Sequence, residues 1–141
     1  MTGRWTTSDA LRVLAVALLL VEGGIHLQQY EGPLNAVPTI STLFVLNAIG
    51  AAAIALVLAG SRGVASVLGS LAGLGLTLGA LVSLAISRTG MLFAYSEPTL
   101  RAAVSFAALV ELAVVVVLVA FVLVRRRGSA APVRVDWTQP V

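Results

Sequence analysis

The chain is 141 residues long, 59% hydrophobic and only 11% charged, with a formal net charge of +3 and no cysteine. Soluble domains carry about 25% charged residues, so this composition, with a mean hydropathy of +1.02, places the chain in a membrane. Each crossing takes roughly 20 apolar residues, which leaves room for about four spans and none for a soluble catalytic domain. All nine basic residues are arginine; in a membrane chain they report orientation and contact with the lipid bilayer's anionic headgroups rather than nucleic-acid binding. The lack of cysteine excludes disulfides and thiolate metal sites.

Four apolar segments stand between polar breaks, at about 10–27, 39–60, 64–87 and 99–124. Their lengths suit spanning helices. Ser61-Arg62-Gly63 is short enough to be only a tight turn, so the second and third spans are antiparallel neighbours. The connection from Gln28 to Pro38 is longer and broken by Gly32, Pro33 and Pro38. Ser96-Glu97-Pro98 reads as the start of the fourth helix, because a serine oxygen caps free N–H groups and proline fits the first turn. After Val124 the composition changes to Arg125-Arg126-Arg127-Gly128-Ser129. Residues 1–127 therefore read as one transmembrane domain and 128–141 as a polar, disordered tail.

Arginine placement sets the orientation. Arg4, Arg12, Arg62, Arg125, Arg126, Arg127 and Arg134 fall on the side that holds both ends, against Arg88 and Arg101 on the other. Basic residues concentrate on the cytoplasmic face, so the expected fold is an all-α, integral-membrane four-helix bundle, antiparallel up-down-up-down, multi-pass in the plasma membrane with both termini cytoplasmic. A cleaved signal peptide over Arg4 to Val21 is the rival reading; no A-x-A-like site follows, and Glu22 ends the apolar run.

The third span carries the packing signal. Gly69-x-x-x-Gly73 and Gly75-x-x-x-Gly79 put small residues one turn apart and let backbones approach closely, as Ala48, Ala52, Ala55 and Ala59 do on the second span. This surface serves packing within the bundle or, in a second reading, contact with a membrane-protein partner or a further copy of the chain.

Polar residues recur at one depth. At about 1.5 Å rise per residue, Glu22 lies roughly 15 Å beyond Arg12, near the middle of a hydrocarbon layer about 30 Å thick. His26 is one turn further on the same face, followed by Gln29 and Tyr30. Glu111 on the fourth span reaches a similar depth, roughly 18 Å past Thr99, with Asn47 on the second span and Thr77 on the third near the same level. A carboxylate facing lipid costs about 2.5 to 3.5 kcal/mol, so Glu22 and Glu111 are expected to turn inward and share a polar cluster with His26 and Asn47. Such a cluster is either a hydrogen-bond network that fixes packing or a functional site. One histidine and two carboxylates can make a three-ligand set, but without a second histidine, a cysteine or H-E-x-x-H no metal site is assigned. No G-x-S-x-G, phosphate loop or triad is present, and no enzymatic activity is read.

The outer connection from Ser87 to Glu97, with Arg101 just beyond it, sets Arg88, Tyr95, Glu97 and Arg101 above the glutamates. Ion pairing or a lid over an outward pocket is one reading; interfacial anchoring by Phe93, Tyr95 and snorkelling arginines is the other. Glu22-x-x-x-His26-Leu27, Leu43-Phe44-Val45-Leu46-Asn47, Ser87-Arg88-Thr89-Gly90 and Glu111 together resemble a group of small four-span membrane proteins common in high-GC Gram-positive bacteria. Members often have a glycine-leucine-proline turn where this chain has Gly90-Met91-Leu92-Phe93. The resemblance implies a four-span bundle and supplies no chemistry or cofactor. Two functions stay open: a non-catalytic accessory or scaffold subunit of a larger membrane assembly, or a proton or cation path or a pocket for a small ligand, quinone-like or haem, built on Glu22, His26 and Glu111.

Overall fold

The computed structural model describes residues 5–32, 34–97, 99 and 101–129. They form four helices, α1 (Thr7–Glu31), α2 (Pro38–Gly60), α3 (Val64–Thr89) and α4 (Ala102–Ser129), each long and apolar enough to cross a membrane. No strand occurs among the described residues beyond an isolated bridge between Leu92 and Tyr95.

Helix ends follow local chemistry. α1 starts before the apolar run because Thr6 and Asp9 form a capping box: the Thr6 hydroxyl accepts from the Asp9 N–H at 3.1 Å, and the Asp9 carboxylate accepts from the Thr6 N–H at 3.2 Å. Two orphan donors are thereby satisfied. α2 opens on Pro38, whose carbonyl accepts the hydroxyls of Ser41 and Thr42. Gly63, with φ 66°, lets the chain reverse within three residues before α3, a backbone region that favours glycine.

The fourth helix does not begin at Ser96-Glu97-Pro98. It begins at Ala102, because the Glu97 N–H donates to the Ser87 carbonyl at 2.9 Å and the Glu97 carbonyl accepts from Arg88 at 2.8 Å. Those bonds hold the backbone across the end of α3 and keep it out of the helix. Pro98 lies outside the described residues, as does the expected tail apart from Gly128 and Ser129, which close α4.

α1 packs against α2 and α4, and α3 packs against the same two helices. The surface is inverted relative to a soluble bundle. Leu20, Val21, Leu46, Ile49, Leu56, Leu68, Val82, Leu109 and Val116 are exposed, whereas Glu22, His26, Asn47, Thr77 and Glu111 are buried. Apolar side chains facing out and polar ones facing in is the pattern of a chain whose solvent is lipid.

One half of the bundle is closely packed, around Ala15, Leu19, Ala51, Ala55, Leu58, Val114 and Leu118. Gly69 and Gly73 belong to it: a Cβ on Gly69 would stand 3.1 Å from Val57, and one on Gly73 would stand 2.9 Å from Leu118 and 3.4 Å from Ile54. Gly75 and Gly79, expected on the same packing face, differ. No atom lies within 4 Å of a Cβ on either, because they sit further round the helix and border open volume. Of the α2 alanines, Ala51 and Ala55 are buried, whereas Ala52 and Ala59 are exposed. Gly23 makes a close approach of its own, where an added Cβ would lie 3.2 Å from the Ala48 carbonyl oxygen and 3.3 Å from the Ala51 Cβ.

These contacts separate the glycines experimentally. Gly73→Leu overpacks the interface and should cost about 1 to 3 kcal/mol, read as a lower thermal midpoint of the chain in detergent. Gly79→Ala meets nothing and should leave the midpoint unchanged or slightly raised; equal losses from both substitutions would contradict this packing.

Candidate functional site

One stripe of α1 carries the site. Ala15, Leu19, Glu22, His26 and Gln29 are all buried, and their alternating steps of four and three residues keep them on one inward face. The first two enter the tight half. The last three continue the same face into a polar interior.

Glu22 is 1% exposed, and its carboxylate accepts the Thr77 hydroxyl at 3.0 Å to Oε2 and 3.3 Å to Oε1. That bond links α1 to α3 across the bundle. His26 Nδ1 lies 3.0 Å from the Glu22 backbone carbonyl. A carbonyl only accepts, so Nδ1 bears the proton and the bond fixes the ring. Phe44 of α2 supports that ring, with centroids 5.0 Å apart and planes tilted by 40°. His26 Nε2 then faces Glu111 of α4, 3.5 Å from Oε1. Ligand-capable atoms of Glu22, His26 and Glu111 all lie within 4.8 Å of one another. Asn47 of α2 is buried beside them as a hydrogen-bonding neighbour of Glu22.

The cluster is not saturated by the described residues. Among them, Glu111 Oε2, Asn47 Oδ1 and Gln29 Oε1 are buried without a hydrogen-bond partner. Buried polar atoms are paired in the great majority of cases, so three orphan acceptors in one place weaken the reading of a network that serves packing alone.

The outer connection forms a second group. Glu97, 4% exposed, accepts from Tyr95 at 2.6 Å and from Arg101 Nη2 at 2.8 Å and Nε at 3.2 Å. Arg88 holds its backbone. The four rim residues expected from sequence thus form one network, and the hairpin at Leu92 to Tyr95 that shapes it sets Phe93 and Ala94 at positive φ. Burial opposes ionisation of Glu97, but the hydrogen bonds from Arg101 and Tyr95 and the charges of Arg101 and Arg88 outweigh it, holding the carboxyl below the ordinary carboxylate range. Burial and the adjacent Glu97 push the Tyr95 hydroxyl up to about 12.

A cavity of about 420 Å³ joins rim to cluster. Tyr95, Glu97 and Arg101 border it at one end, and His26, Asn47 and Glu111 at the other. Its walls are mostly apolar, from Ile25, Leu34, Phe44, Leu76, Leu84 and Val104. Gly75 and Gly79 also line it; with no side chains, they leave the volume free. Tyr30, expected on the polar stripe, is half-buried and does not line the cavity. Phe44 was not expected at the site, although its spacing of three from Asn47 sets both on one face of α2.

No protein family, curated protein or solved structure matches the chain.

The rim has a defined pH response. A carboxyl held below its ordinary value contributes stability that is present above that value and is lost as pH falls through the lower folded-state value; a raised tyrosine contributes below about 10 and loses it as pH rises through about 12. Tyrosinate absorbance should therefore show one of the two tyrosines ionising near 12, and Glu97→Gln should lower that step. A titration unchanged by Glu97→Gln would rule out the pairing.

Proposed function

We propose that this multi-pass membrane protein binds a small lipid-soluble ligand, one with an apolar ring body and a hydrogen-bond-donating hydroxyl head of the quinol class, in the cavity between the outer rim and the Glu22, His26, Glu111 cluster. The observation that carries the reading is an apolar-walled volume of about 420 Å³ ending on buried, unpartnered acceptors. Small-molecule sites have this character, mostly apolar lining with a few convergent polar groups, at about 300 to 1,000 Å³. Leu46 borders the cavity and is also 57% exposed on the apolar outer surface, which suits a ligand arriving from lipid.

Binding is favoured over conduction. Beyond Glu22 the interior is filled by Leu19, Leu58, Leu118 and Phe121, and the Ser66 and Ser70 hydroxyls there donate to carbonyls of their own chain segment. The polar route thus has one end. A haem would need an open approach to His26 Nε2, and the Glu111 carboxylate stands there. The accessory-subunit reading draws on small-residue faces, the absence of catalytic motifs and the tail as a docking segment; of these, the glycine faces are used within the chain, Gly69 and Gly73 packing in the bundle and Gly75 and Gly79 bordering the cavity.

The site's direction rests on topology. In this reading the spans run up-down-up-down with both ends cytoplasmic, supported by arginine bias, by the three-residue turn after α2, and by Arg12 near the start of α1 donating to the Ser61 carbonyl just past α2 at 3.3 Å. The rim and cavity then face outward.

Two measurements test this. Reporter fusions at Gly128 and Pro33 should lie on opposite sides of the membrane; the same side for both rejects the topology. A short-chain naphthoquinol, kept reduced, should bind the purified chain in lipid nanodiscs saturably at one per chain, and Gly79→Leu, whose Cβ meets no atom within 4 Å and whose branch extends into the open volume, should weaken binding at least about tenfold, or 1.4 kcal/mol, at unchanged thermal midpoint. Unsaturable partitioning, or equal binding by Gly79→Leu, defeats the pocket reading.

A further inference from the structure

The cavity floor has a donor set and a charge problem that point to one kind of ligand. His26 Nδ1 is committed to the Glu22 carbonyl, so the lone pair of a neutral ring sits on Nε2, facing Glu111 at 3.5 Å. A lone pair facing a carboxylate oxygen is two acceptors with nothing between them, a clash that either a proton or a metal cation between the two atoms resolves. The separation exceeds the roughly 2.7 to 2.9 Å of a charge-assisted hydrogen bond. It is close to the edge of a tetrahedron around a metal with bonds of about 2.0 to 2.1 Å, which is about 3.3 Å.

Charge leads to the same place. Glu22 and Glu111 together carry two negative charges when ionised, deep among apolar helices, and Arg101, the arginine that borders the cavity, is engaged by Glu97 at the rim. One divalent ion neutralises both glutamates. An independent mark is Asn47, 8% exposed, whose side-chain amide hydrogen-bonds Glu22 and whose Oδ1 is buried without a partner among the described residues. An amide oxygen is a neutral donor, so it adds a ligand without adding charge.

We propose that Glu22, His26 and Glu111, with Asn47 Oδ1 as a fourth donor, bind one divalent first-row transition-metal ion at the cavity floor. The imidazole favours such an ion over magnesium or calcium, which prefer all-oxygen sites, and the lack of sulfur disfavours copper(I). Glu22 moves most on binding: the outer limit of 4.8 Å between donor atoms contracts as its carboxylate turns from Thr77 towards His26 and Glu111. The face of the ion turned to the cavity stays open to an oxygen of the ligand, and in this last respect the inference rests on the pocket reading.

The test uses the full chain in nanodiscs, stripped with a chelator and titrated with cobalt(II), whose visible absorption reports coordination by nitrogen and oxygen. The expected result is saturation at one cobalt per chain, displaced by zinc. Glu111→Leu and His26→Leu each remove a ligand and should weaken uptake by more than the roughly 10- to 100-fold that loss of an outer hydrogen-bond partner costs. Glu31→Gln, an exposed acid, should change nothing. Gel filtration and thermal midpoint check the fold; if one variant fails to accumulate, the other still decides. Absence of saturable uptake by the unaltered chain, or undiminished uptake by either folded variant, overturns the metal site. Naphthoquinol binding on the same samples separates the two readings: cobalt without quinol binding sinks the pocket and leaves the metal site, and quinol without cobalt binding does the reverse.

Discussion

Two glutamates in hydrocarbon constrain everything else in this bundle. Each costs about 2.5 to 3.5 kcal/mol if it faces lipid, so α1 and α4 must rotate until Glu22 and Glu111 point inward, and that rotation fixes which apolar residues meet lipid. Once Glu22 is inside, its inward stripe brings Ala15 and Leu19 into the tight half and His26 and Gln29 into the polar half. The Thr77 hydroxyl then ties α1 to α3 across the bundle. Gly23 lets α2 come close enough at Ala48 and Ala51 to shield the carboxylate from lipid. Adjacent residues thus supply the polar group and the close packing it needs.

The four helices and the inward turn of the polar residues were legible in the sequence, because both follow from length, hydropathy and the depth that helical rise assigns to each side chain. The start of α1 was missed by three residues, although Thr6-x-x-Asp9 is a capping signature. The start of α4 was misread because Ser96 and Pro98 look like a cap, and no local pattern shows that the backbone of Glu97 is held by Ser87 and Arg88 from the preceding helix end. Long-range hydrogen bonds of that kind leave no periodic trace.

The glycines of α3 teach a different lesson. Gly69 and Gly75 are six residues apart, which turns the second pair about 240° round the helix from the first. One shared packing face was therefore excluded by helical geometry alone. The first pair lets Leu58 and Leu118 close the tight half, while the second leaves room bordered by Phe44 and Glu111. The same residue type makes the dense end and the open end, and what decides between them is whether a neighbouring side chain reaches over.

Rim and floor handle charge in opposite ways. At the rim, Glu97 meets two arginines and a tyrosine, so its negative charge is compensated within a few residues of chain. At the floor, Glu22 has a threonine and an asparagine, Glu111 has one nitrogen of an imidazole, and acceptors outnumber donors. A bundle selected for packing alone gains nothing from that imbalance, since replacing one floor carboxylate by a leucine would remove both the desolvation cost and an orphan acceptor. The imbalance has a use only if something with positive charge or hydrogen-bond donors comes to the floor from outside the chain, and the cavity beneath the rim is the space through which it reaches Glu111.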